Sequence, residues 1–136
     1  MQRSLLAIAL ALAAAAPDVR GHHSIARVYD SARQVTLEGV VTEFRFVNPH
    51  PFLIIDAGAE GAAESWQLEM DNRGELVRIG VTAQTFRPGD RVVVSGSVGR
   101  AAPQTLYLRR LDRPADGLLY EQRGGTPSIA AGGARG

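Results

Sequence analysis

Few residues in this chain can do chemistry. Among 136 residues there are three histidines and no cysteine. All 15 basic residues are arginine and none is lysine. This excludes a disulfide framework, a thiolate metal site and a thiol nucleophile. It also excludes a lysine Schiff base and a P-loop lysine. The groups that remain are His22, His23 and His50, with scattered carboxylates. A transition-metal site in such a chain must be built from nitrogen and oxygen. That donor set points to Cu(II) over Cu(I) or structural zinc.

The position of the first two histidines follows from the N-terminal segment. Met1–Gly21 reads as a secretory signal peptide. Arg3 supplies a positive start, and Ser4 to Ala16 is an apolar run, too short for a membrane-spanning helix of about 20 residues. Pro17 breaks the run, and Val19 and Gly21 suit a cut after Gly21. A cut within Ala13–Ala16 and an uncleaved anchor are the alternatives. Cleavage between Gly21 and His22 makes the mature chain begin His22-His23-Ser24, with thirteen arginines balancing thirteen acids. The chain is then expected in the periplasm or secreted, with no transmembrane segment, and without the cysteine of a lipoprotein.

A free α-amine on a histidine is a chelator. The amine and His22 Nδ1 close a six-membered ring on one metal ion. A third nitrogen from His23 or His50 completes a histidine brace, which suits Cu(II). The amine has a reference pKa of about 7.7–8.0, so a metal displaces its proton near neutral pH. Cleavage one residue earlier gives Gly21-His22-His23, in which amine, two backbone amides and imidazole form a square-planar copper or nickel site. Glu69 is the candidate carboxylate ligand, or the acceptor for an imidazole N–H. Plainer readings stand beside each of these. The two N-terminal histidines can be a solvated end, His50 a cap on backbone groups in its turn, and Glu69 a solvated strand carboxylate. Tyr29 and Asp30 read as hairpin structure. If Ser24–Asp30 pairs back onto the first strand across Ser31–Gln34, His23 falls opposite about Thr42. His50 would then lie on the order of 15 Å away.

Other chemistries are thinly represented. There is no nucleophile-elbow serine and no phosphate-cradling glycine loop. Arg109-Arg110 with Tyr107 could hold an anion or stack on a sugar or base. Near-zero net charge argues against nucleic acid as a partner.

The elements that must position these groups are strands. Val35–Val47 alternates, but its parity slips once beside Gly39, as a β-bulge would cause. Asn48-Pro49-His50-Pro51 is a turn. Phe52–Asp56 and Ser65–Met70 are further strands, the latter with Trp66, Leu68 and Met70 inward. Asn72 with Glu75 has capping-box spacing and starts a helix of about two turns that stops at Gly80. Arg91–Val98 and Thr105–Leu111 are the fourth and fifth strands, and Leu118–Glu121 adds a short ribbon. This order predicts an all-β domain over residues 22–121. Its expected form is a five-stranded Greek-key barrel of the OB type, with the helix between strands three and four. An open meander or small sandwich is the alternative. Gly- and Ala-rich residues 122–136 are expected to form a disordered tail.

Three stretches together carry a family resemblance: His22-His23-Ser24 with Tyr29-Asp30, Asn48-Pro49-His50, and Trp66-x-x-Glu69-Met70. Pro88-Gly-Asp90-x-Val92 and Asp116-Gly117 also fit. The chain resembles an exported bacterial domain-of-unknown-function family, family 6152, from about His22 to Tyr120. It departs from that pattern at Asp71-Asn-Arg-Gly, where family members tend to carry a small-residue stretch with proline. The resemblance implies export and a small β-fold, and no activity.

Metal binding as a carrier, buffer or accessory factor ranks first. An OB-type module for an anionic, peptide or cell-envelope ligand ranks second. A copper redox enzyme ranks third, because the aromatics fall mostly at core-facing positions rather than along a substrate groove.

Overall fold

The computed structural model describes residues 25–131 apart from residue 60. The signal segment Met1–Gly21, its cleavage point, and His22 and His23 lie outside the described residues, as do residues 132–136.

Among the described residues, residues 25–28 are helical, and seven strands and a short helix follow in order: β1 (Tyr29–Arg45), β2 (Phe52–Ala57), β3 (Glu64–Glu69), α1 (Arg73–Arg78), β4 (Arg91–Gly99), β5 (Thr105–Arg113), β6 (Leu118–Arg123) and β7 (Thr126–Ala130). The expected all-β class and the helix between the third and fourth strands are present. β1 pairs with both β2 and β4. β2 pairs with β3, and β4 with β5. A short parallel pairing of Gln67–Glu69 in β3 with Thr105–Tyr107 in β5 closes these five strands into a ring. Two strands exceed the expected five. β6 pairs with Arg110–Arg113 of β5, and β7 pairs with β6.

The slip in β1 is real but falls three residues past Gly39. Val41 faces Ile55 and Glu43 faces Ile54, so Thr42 is the extra residue. Val35, Leu37 and Val41 therefore turn inward before the bulge, and Phe44 and Phe46 after it. A second bulge, at Arg109, does the same in β5: Ser95 faces Arg110 and Gly96 faces Leu108. Leu106 and Leu108 enter the core before it and Leu111 after it. Gly96 sits at a close crossing, where an added Cβ would run into the Tyr107 carbonyl.

The ring interior is filled by Val41, Leu53, Ile55, Leu68, Met70, Val94, Leu106, Leu108 and Leu111, with Leu76 of α1 and Phe86 of the following loop. Each such aliphatic side chain contributes roughly 1.5–3 kcal/mol by leaving water. Phe44 meets Phe86 edge-on at 5.1 Å. The start of α1 is capped as expected, with the Asn72 side chain accepting from Gly74 N at 2.8 Å.

Two expectations change. The tail expected to be disordered from residue 122 instead completes β6 and forms β7. Gly124 and Gly125 take φ of +56° and +85°, and Arg123 faces Thr126 across them. This is the two-residue hairpin turn that a Gly-Gly pair permits, and the low-complexity composition hides it. Among the described residues the N-terminal hairpin is also absent, residues 25–28 being helical. Tyr29 and Asp30 pair with Gly99 and Val98 of β4, and residues 31–33 bulge out before pairing resumes at Gln34. Asp30 does make its expected local turn, accepting from Ala32 N at 3.1 Å.

Candidate functional site

The two strands that share one edge of β5 part company near Arg109. β3 runs along Thr105–Tyr107 and β6 along Arg110–Arg113. The fork between them opens into a cleft of about 700 Å³. Its lining includes Tyr29, His50, Asp71, Tyr107, Arg109 and Gln122. Tyr29 and Tyr107 are buried there against each other, with ring centroids 5.7 Å apart.

One three-residue segment, Glu69-Met70-Asp71, organises this cleft. Met70 turns into the core, and its neighbours turn the other way. The chain has three tyrosines, and each donates its hydroxyl to one of these two carboxylates. Tyr29 donates to Glu69 Oε2 at 2.6 Å. Tyr107 and Tyr120 donate to Asp71 Oδ1 and Oδ2 at 2.5 and 2.6 Å. Asp71 is 4% exposed, and it ties β5 to β6 across the fork just past the end of β3. Burial first, and then the adjacent carboxylate, pushes all three tyrosine hydroxyls well above their ordinary pKa.

His50 reaches the same segment through the proline turn. Met70 N donates to Pro51 O and Arg73 N donates to Pro49 O, both at 2.9 Å. These bonds seat the turn on residues 70–73. His50 Nδ1 lies 2.9 Å from the Met70 carbonyl and 3.8 Å from Glu69 Oε1. A carbonyl oxygen only accepts, so Nδ1 carries the proton. In the neutral ring the lone pair is then on Nε2. Fixing one ring nitrogen on a carbonyl so that the other is free to ligate is the usual outer support of a metal-bound histidine.

The N-terminal arm enters at the same place. Ile25 and Ala26 line the cleft with His50. Arg100 holds the arm: its backbone N–H donates to Val28 O at 2.8 Å, its Nε donates to Ala26 O at 3.0 Å, and its guanidinium lies 3.6 Å from Asp30. The separation built on an N-terminal hairpin therefore does not apply.

Of the four sequence-derived candidates, His50 and Glu69 are brought together, and His22 and His23 lie outside the described residues. Among the described residues no three His, Asp or Glu side chains gather as a metal site. Tyr29, read from sequence as hairpin structure, is a carboxylate partner. Asp71, Tyr120 and Gln122 were not singled out by their spacing. The alternation that turns Glu69 away from the core also places Asp71 on its side, which was the available signal. Arg109 and Arg110 separate. Arg109 lies over the Tyr107 ring, 4.7 Å from its centroid, and bonds Gln122 Oε1. Arg110 points away into ion pairs with Asp112 and Glu121.

The chain belongs to the family of unknown function DUF6152, whose match covers residues 8–106. No curated protein and no solved structure matches it. Among the described residues no helix is long and apolar enough to cross a membrane.

Proposed function

We propose that this protein is an exported, periplasmic binder of one transition-metal ion, most readily Cu(II), acting as a carrier, buffer or accessory factor. His22 supplies its α-amine and imidazole after cleavage at Gly21, and His50 Nε2 supplies a further nitrogen, with His23 as the alternative. The observation that supports this reading is the state of His50: Nδ1 is anchored on the Met70 carbonyl, which leaves Nε2 as the ligating atom. Glu69 sits on the Nδ1 side of the ring, so its role is to balance the charge that builds on the imidazole when a cation binds. Chain connectivity adds the rest. Only Ser24 separates His23 from Ile25, a reach of about 7 Å, and Ile25 lines the cleft with His50.

Mature protein with a verified His22 N-terminus should take up about one equivalent of Cu(II) and give a nitrogen-rich paramagnetic spectrum. Blocking the α-amine or changing His22→Ala should abolish that spectrum. Unaltered copper uptake after both changes would overturn the proposal.

A further inference from the structure

The cleft is far larger than a metal ion needs, and its most constrained cation faces no counter-ion. Arg45, Arg100, Arg110, Arg113 and Arg123 each pair with a carboxylate. Arg109 and Arg78, which both line the cleft, pair with none among the described residues. Arg109 is also held in place. Its guanidinium lies over the ring of Tyr107, whose own hydroxyl is fixed by Asp71, and one N–H is taken by Gln122 in β6. A guanidinium braced in this way has lost its freedom before any ligand arrives and keeps further N–H donors.

We propose that the cleft is a binding site for a small organic carboxylate, gripped by Arg109 with Arg78 in support. The planar fork of arginine matches a carboxylate bidentately. Asp71 makes no ion pair with Arg109, and its two oxygens accept from tyrosines. Glu75 and Asp71 share the cleft, so they repel a doubly charged anion such as phosphate more than a single carboxylate. A volume of about 700 Å³ lies within the usual range of small-molecule sites. Buried Ser97 and the Tyr29 and Tyr107 side chains offer a floor for the remainder of the ligand.

The test is an NMR titration of mature protein stripped of metal beforehand and exchanged into chelator-free buffer, using acetate, L-glutamate and inorganic phosphate as separate probes. Because no metal takes part, its outcome is independent of copper binding. Saturable shifts of the Gln122 side-chain amide and the Gly124 and Gly125 amides are expected with a carboxylate, and weaker shifts with phosphate. Arg109→Gln should weaken carboxylate binding by about tenfold or more. If that variant does not fold, Arg78→Gln on the exposed face of α1 should weaken binding by about threefold or more. The proposal is overturned by the absence of saturation with either carboxylate. Phosphate binding as tightly as the carboxylates, or full affinity in the arginine variant, also overturns it.

Discussion

Glu69 and Asp71 are two residues apart, yet their surroundings have opposite characters. Asp71 is a closed carboxylate: buried, with each oxygen capped by a tyrosine from a different strand. Glu69 is an open one. Its side chain is 19% exposed, one oxygen accepts from Tyr29, and the other faces His50 at 3.8 Å. Each oxygen of the closed carboxylate already accepts from a buried tyrosine, so its work is to hold the fork between β3 and β6. The open one keeps capacity for a charge that arrives later. The contrast separates structure from function within three residues, and mutations can break it.

The largest effect should come from the closed side. Asp71→Ala removes two charge-assisted bonds and leaves two buried hydroxyls unpaired. It should cost about 3–5 kcal/mol in urea unfolding, a large share of a small domain's stability. Loss of less than about 1 kcal/mol would show that Asp71 does not hold the fork.

The open side should respond in affinity instead. Glu69→Gln should lower metal affinity by about 10–100-fold by calorimetry, with little change in the unfolding midpoint. An unchanged affinity would remove Glu69 from the site.

The tyrosines sharpen the comparison at smaller scale. Tyr107→Phe should destabilise by about 2 kcal/mol and Tyr29→Phe by about 1 kcal/mol, because the partner of Tyr29 can still be reached by water. Equal costs would erase the distinction. Alkaline titration reads the same groups together. All three folded hydroxyls have pKa values raised above the unfolded value near 10, so the neutral form is favoured in the fold. Their contribution to stability is complete below that value and is lost as pH rises past it, because the unfolded chain then releases protons that the folded chain keeps. Tyrosinate absorbance should therefore rise together with unfolding, not ahead of it.

Much of this was legible in the sequence, for local reasons. The parity slip in β1, the Asn72 cap and the proline turn are written in neighbouring residues, and each sits where spacing placed it within a few positions. The β6–β7 hairpin was not, because its Gly-Gly turn is embedded in a composition typical of tails. The cleft was legible only in part. His50 and Glu69 stood out by residue type. The tyrosine bonds to Glu69 and Asp71 join residues 36 to 49 positions apart, and no spacing rule connects them. The two bonds to Asp71 exist because β3 and β6 share one edge of β5, and the bond from Tyr29 because the start of β1 pairs with the end of β4. Arg109 is the bulged residue and bonds Gln122, whereas Arg110 stays in the ladder and pairs with Glu121, so two adjacent arginines that look like one patch have different partners.

The metal reading rests most directly on His50 joining the N-terminal amine and His22. Pulsed electron paramagnetic resonance on Cu(II)-loaded mature protein counts the coordinated imidazoles. The account predicts that His50→Ala removes one imidazole signal and weakens copper binding by about tenfold or more. An unchanged imidazole count in His50→Ala would contradict it, and would leave His50 as a structural cap on the Met70 carbonyl.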